Sequence, residues 1–221
     1  KTSVTLAGGE PVMVPLLEEN DFLPDLEAID EEIAREAKLF FINYPNNPTG
    51  ATADEEFYKK IIEFARKYDI IIAHDAAYSE IGLGEYDPPS FMQFSGAKEV
   101  GIEFNSLSKP FNMTGWRVGW AVGREDIIES LGRIKTNIDS GIFEAVQLAG
   151  IEALSNPGEN IHMMNKIYTE RRDLIVKGLN DLGWDVSKNK ASFYLWVEVP
   201  EDDLSSQEFS TKVFKETGVF F

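Results

Sequence analysis

A chain of 221 residues with 43% apolar side chains can bury a core of its own, which excludes an intrinsically disordered protein. Its 38 acidic residues outnumber 21 basic ones and leave a formal net charge of -17, so nucleic acid would be repelled, and no local basic patch offsets that repulsion. Cysteine is absent, which excludes a disulfide framework and a thiolate metal site, and no apolar run approaches the ~20 residues that a bilayer-spanning helix needs.

The chain opens on KTSVTLAGGEPVMVPL, without an initiator Met, and ends on the apolar GVFF, so it is expected to be a fragment of a longer protein. Four runs are apolar nearly throughout: KLFFIN (38 to 43), DIIIAHD (69 to 75), VGIEFNSLS (100 to 108) and WRVGWAVG (116 to 123). That pattern predicts strands covered on both faces in a parallel sheet. Between the first two lies TADEEFYKKIIEFARKY, where Phe57, Ile61, Ala65 and Tyr68 recur at helical spacing and Thr52 with Glu55 reads as a capping box. Strand, helix and strand in succession make a βαβ unit.

Beyond residue 124 the pattern is helical through REDIIESLGRIK, GIFEAVQLAGIEAL and a long stretch from about Asn160 to Leu182, whose stripe is interrupted at Gly178. ASFYLWVEV then alternates as a half-exposed strand, and SSQEFSTKVFKE reads as a helix of a further layer. The fold class expected is α/β, a three-layer sandwich with a mostly parallel sheet, plus the beginning of a small α+β domain. Its units are residues 1–155 as part of a large domain, 156–182 as an interdomain helix and 183–221 as the start of the smaller domain.

Ligands in open α/β sheets bind beyond the carboxyl ends of the strands, and here three strands end in unusual chemistry: NYPNNPTG, HDAAY and SLSK. Asp75, expected to be buried at its strand end, needs a cationic partner there. Lys109 cannot be that partner and also a nucleophile, since an adjacent carboxylate would hold it protonated. Pyridoxal 5'-phosphate meets both demands: its aldehyde takes an amine as an imine, and its ring nitrogen takes a proton held by a carboxylate. Ser106, Ser108 and Arg117 offer hydroxyls and a guanidinium fork for its phosphate. Considered alone, Lys109 would be a surface lysine and the two serines strand-end caps; only their combination argues otherwise. His74 alternates away from Asp75 and is expected to be a packed or hydrogen-bonded histidine, and no metal site is expected.

NNPTG, the D-x-x-Y of DAAY, S-x-S-K and the following arginine stand in an order that resembles the class I/II aminotransferases, pyridoxal-phosphate enzymes of fold type I. The resemblance implies Asn47 and Tyr78 on the cofactor's phenolic oxygen, Asp75 on its ring nitrogen, and Lys109 as the imine-forming lysine and general base, with Tyr78 also in the catalytic set. Ser106, Ser108 and Arg117 would then hold the phosphate. NIDSGIFEAVQ, HDAAYSEI and SKPFNMTGWRVGWAVG resemble the LL-diaminopimelate branch of that family, which implies lysine biosynthesis; aspartate and alanine aminotransferases, and a cofactor-binding sensor domain of a regulator, remain alternatives. The family's glycine-rich phosphate loop, ring-stacking aromatic and C-terminal substrate-carboxylate arginine have no match in this chain, so low turnover is expected of it alone. The resemblance further implies small amino-acid and 2-oxo-acid substrates and a homodimer when intact, while the acidic charge and the want of a long apolar run argue against nucleic-acid and membrane partners and the absence of cysteine fits a cytoplasmic setting.

Overall fold

The computed structural model describes residues 1–201 and 203–221. After two short helices, α1 (Thr2–Leu6) and α2 (Glu31–Glu36), the chain builds a four-stranded sheet in the order β1 (Leu39–Asn43), β2 (Ile71–Asp75), β3 (Gly101–Ser106), β4 (Gly119–Gly123). The first three strands are parallel, in a register that aligns Ile42 with His74 and Glu103, and Asn43 with Asp75 and Phe104. Strand β4 runs antiparallel to β3, contrary to the parallel arrangement expected of all four apolar runs. Only residues 107–118 connect these two strands, too little for the helical crossover that parallel neighbours usually need.

Helix α3 (Glu55–Tyr68) joins β1 to β2 and buries Phe57, Tyr58, Ile61, Ile62 and Ala65. Its N-cap is Asp54, whose carboxylate accepts from the Phe57 amide at 2.8 Å; the predicted Thr52–Glu55 box does not form, because the first helical residue is Glu55 and only its immediate neighbour can cap it. The short helix α4 (Ala97–Val100) then leads into β3.

Ile61, Ile72 and Phe91 are fully buried between α3, the sheet and the 91–100 segment, and each such side chain stabilises the fold by roughly 1.5–3 kcal/mol. The central strands β2 and β3 are covered on both faces as expected, burying Ile72, Ala73 and His74 in one and Ile102 and Glu103 in the other, whereas the outer strands β1 and β4 are not. Side chains alternate along a strand, so the α3 side takes Ile42 while Leu39 and Phe41 stay exposed, and Trp120 and Val122 of β4 are open as well.

Three helices follow: α5 (Glu125–Ile138), α6 (Glu144–Ser155) and α7 (Pro157–Asp181). Helix α7 continues through Gly178, where the sequence suggested a break; one glycine weakens a helix by about 1 kcal/mol and does not end it. The expected strand at 191–199 is present only as a single antiparallel bridge between Ala191 and Gly82. A Ser205–Glu208 capping box starts the last helix, α8 (Ser206–Thr217). Among the described residues no helix is long and apolar enough to cross a membrane.

Candidate active site

Three connections at the carboxyl ends of β1, β2 and β3 carry the polar residues singled out above. After β1 comes the loop 44–50, which folds back on itself through the Gly50 amide to Asn46 C=O (2.9 Å) and the Asn46 amide to Ala51 C=O (2.8 Å). Gly50 closes this turn at φ +72°, a conformation that favours glycine, and a Cβ there would crowd the Asn189 Cβ at 3.1 Å. The Asn43 side chain ties the loop to its neighbour: its amide donates to Asp75 C=O at 2.7 Å and its carbonyl accepts from the Asn47 backbone amide at 2.8 Å.

Asp75 is the last residue of β2 and is exposed, not buried as expected. Alternation turns the Asp75 carboxylate to the face opposite His74, a face still buried at Ala73 but uncovered at the strand's end, so no burial has to be offset by a protein cation. His74 is packed and hydrogen-bonded as anticipated: Nδ1 lies 3.0 Å from the Glu103 carboxylate and Nε2 2.9 Å from Tyr44 C=O. A carbonyl only accepts, so Nε2 carries a hydrogen. Removal from water pushes the Glu103 carboxyl up, but donors from His74, Asn105 and Ser90 together outweigh that and leave it below its usual range.

One turn past Asp75, Tyr78 is buried, and its hydroxyl accepts from the Asn47 side-chain amide at 3.3 Å. A second phenol meets it: the Tyr194 hydroxyl lies 3.1 Å away. Burial first, and then this hydrogen bond, hold the Tyr78 phenol above its ordinary range, while the Asn47 amide works the other way.

The loop 107–118 between β3 and β4 brings Ser108, Lys109 and Arg117 into one connection. Gly119 lets this loop close, since a Cβ would fall 2.5 Å from Asn105 C=O. Lys109 Nζ stands 5.7 Å from the centre of the Tyr78 ring and 5.5 Å from that of Phe193, within cation–π range. Among the described residues the lysines that form ion pairs are Lys59, Lys60, Lys135, Lys177, Lys188 and Lys212, and Lys109 is not one of them. Ser106 is engaged with the backbone, donating to Val118 C=O at 3.4 Å and accepting from the Ser108 amide at 3.1 Å. Arg117, with φ +55°, is exposed and donates to Thr114 C=O at 2.8 Å.

The structure therefore brings Asn47, Tyr78 and Lys109 together directly, and places Asp75, Ser106, Ser108 and Arg117 on adjoining strand ends of the same sheet edge. Sequence reasoning missed Phe193 and Tyr194, which pack against Tyr78 at ring separations of 5.5 and 5.6 Å. They arrive on segment 189–194, held to the region after β2 by Ser192 amide to Ile81 C=O (3.0 Å) and Leu83 amide to Lys190 C=O (2.9 Å). The two aromatics side by side in ASFY were the one available signal, and there they read as strand pattern.

The aminotransferase class I and II family model matches residues 1–221. An LL-diaminopimelate aminotransferase of Halothermothrix orenii is 75% identical over 221 residues, covering 100% of this chain and 57% of that protein. One of Moorella thermoacetica is 59% identical over 97% of this chain and 55% of its own length. Apo-BacF of Bacillus subtilis superimposes with a TM-score of 0.94 at 40% identity, over 99% of this chain and 56% of that one. An aminotransferase from Staphylococcus aureus does so with 0.92 at 34% identity, over 98% and 57%. The chain thus spans somewhat more than half the length of the relatives it matches, and by a match along all of its residues it belongs to the class I and II aminotransferase family.

Proposed function

We propose that this chain belongs to an enzyme that uses pyridoxal 5'-phosphate to move an amino group from LL-diaminopimelate to 2-oxoglutarate. The observation that carries the reading is the Lys109 amine standing over two aromatic rings, free of the lysine ion pairs found elsewhere, beside the Asn47–Tyr78 pair and one strand end from an exposed aspartate. The 75% identity to an LL-diaminopimelate aminotransferase supports the choice of substrate.

The donor set fits the cofactor. It offers one amine for an aldehyde, one carboxylate for a protonated ring nitrogen, two neutral donors for a phenolic oxygen, and two hydroxyls with a guanidinium for a phosphate. When bound, that group supplies an aldehyde and an electron-accepting ring. Asp75 would keep the ring nitrogen protonated, and Asn47 and Tyr78 would hold the phenolic oxygen. Ser106, Ser108 and Arg117 would anchor the phosphate, competing with the carbonyls of Val118 and Thr114 that Ser106 and Arg117 now engage. Lys109 would take the substrate Cα proton and return it. The same reading takes residues 1–155 as part of the cofactor-binding domain, 156–182 as the helix leading out and 183–221 as the start of a smaller domain. It expects a cytoplasmic homodimer.

Borohydride reduction of the protein loaded with pyridoxal phosphate should label Lys109, and labelling at another residue overturns the assignment. Nitrogen transfer from LL-diaminopimelate to 2-oxoglutarate supports the substrate. Preferential use of aspartate or alanine replaces it.

A further inference from the structure

Tyr78 offers one hydrogen to donate and two lone pairs to accept with. Its hydroxyl already accepts from the Asn47 amide at 3.3 Å, a contact in which only the nitrogen can be the donor. The Tyr194 hydroxyl, 3.1 Å away, can stand on either side of its bond. If Tyr78 donates to Tyr194, its only hydrogen is spent there and nothing remains for a ligand. If Tyr194 donates, both lone pairs of Tyr78 are filled and its hydrogen is left free. An anionic ligand oxygen selects the second arrangement, because it can only accept, and a donor behind Tyr78 polarises the phenol and strengthens the bond it makes in front.

The position of Tyr194 is itself built. Segment 189–194 is fastened to residues 81–83 by two backbone hydrogen bonds, and the Asn189 amide spans the carbonyls of Ala191 (2.6 Å) and Tyr194 (3.0 Å). Ser192 is fully buried at φ +62°, which turns the chain so that Phe193 and Tyr194 both face Tyr78. Arg172 of α7 donates to Asn189 C=O at 2.7 Å and secures the segment from its other side.

We infer that Tyr194 is a positioning residue for Tyr78, fixing that phenol as a hydrogen-bond donor toward the cofactor's phenolic oxygen and coupling segment 189–194 to the chemistry at Lys109. The inference rests on the pyridoxal-phosphate reading above. It predicts a chain of donors, Tyr194 to Tyr78 to ligand, which lowers the pH at which the bound chromophore gives up its proton, because a donor to the phenolic oxygen draws off the negative charge that would otherwise hold that proton.

The test is a spectroscopic pH titration of the protein loaded with pyridoxal phosphate, for the unsubstituted chain, Tyr78→Phe, Tyr194→Phe and the double variant. Tyr194→Phe keeps the ring that packs on Tyr78 and Phe193 and deletes one oxygen. It should raise the absorbance midpoint by about half a pH unit to one unit, the size expected for one neutral hydrogen bond. Tyr78→Phe should raise it further, and adding Tyr194→Phe to Tyr78→Phe should change nothing more, since the effect passes through the Tyr78 oxygen. A midpoint unmoved by Tyr194→Phe, or a shift of equal size in both backgrounds, overturns the inference and leaves the cofactor reading standing. Failure of the unsubstituted protein to form a chromophore lost in Lys109→Ala overturns that reading, and this inference with it.

Discussion

Helices α3 and α5 are each fourteen residues long and each carry a stripe of apolar side chains, yet one buries five residues and the other none. Helix α3 lies between β1 and β2 in sequence and lays Phe57, Tyr58, Ile61, Ile62 and Ala65 on the sheet they form. Helix α5 leaves Ile134 61% and Ile138 77% exposed, and Phe143, Leu148 and Ile151 beyond it are likewise open. Amphipathic spacing states that a helix has a face to cover, and not that the cover lies within the same 221 residues. The βαβ region closes around its own core, and the strand ends it fixes are those that carry Asn47, Asp75 and Lys109.

The largest effect should follow from opening that closed region. Phe91 is fully buried, with its ring 5.8 Å from that of Tyr58 and 6.0 Å from His74. Gly101 lies against it so closely that a Cβ would fall 2.6 Å from the Phe91 ring, which leaves little freedom for the site to collapse. Phe91→Ala should cost about 3–5 kcal/mol in urea unfolding, a large part of the stability of a domain this size. A loss below about 1 kcal/mol would show that the two regions are equally loose.

How much of this was legible follows from the range of each signal. Strands β1 to β3 announce themselves as short, nearly continuous apolar runs and helix α3 by its period of 3.6, and the opposite facing of His74 and Asp75 follows from the alternation of any strand. The direction of β4 is not written in WRVGWAVG, because an apolar run carries no polarity; the shortness of 107–118 carried that information. Motif residues Asn47, Asp75, Tyr78 and Lys109 could be picked out because each ends or follows a strand. Tyr194 could not, since its partner is 116 positions away and nothing local records the pairing. The exposure of Asp75 was misjudged for a similar reason: a strand-end aspartate is buried only if the cover reaches the end of the strand, and here it stops at Ala73.

A smaller effect, with a pH signature, should come from the buried pair behind the site. Glu103 Oε2 meets His74 Nδ1 at 3.0 Å and the Phe91 amide at 2.9 Å, and Ser90 and Asn105 donate to the same carboxylate. Its folded value lies below the usual 4.5, so the carboxylate contributes stability above the ordinary carboxylate range and loses that contribution as pH falls through the folded value. Glu103→Gln keeps the shape and removes the charge, and at neutral pH it should cost about 2 kcal/mol. Unfolding curves of the two proteins should draw together as pH falls below about 4.5. A gap that stays constant or widens on acidification would mean that the charge of Glu103 contributes nothing to the closed region.

The smallest effect should be found on the open helices. Ile138→Ala at the end of α5 removes three side-chain carbons that are at most partly withdrawn from water, at a residue already 77% exposed. Alanine is also the stronger helix former, by a few tenths of a kcal/mol, which offsets what little burial is lost. The substitution should therefore move the stability of this chain by no more than about 0.5 kcal/mol in either direction. An apolar side chain of the same kind in α3, Ile61, is fully buried, and Ile61→Ala should cost about 2–5 kcal/mol under the same conditions. Equal costs at the two positions would erase the contrast between the helices, because Ile138 would then be buried in solution by contacts that the isolated chain does not display.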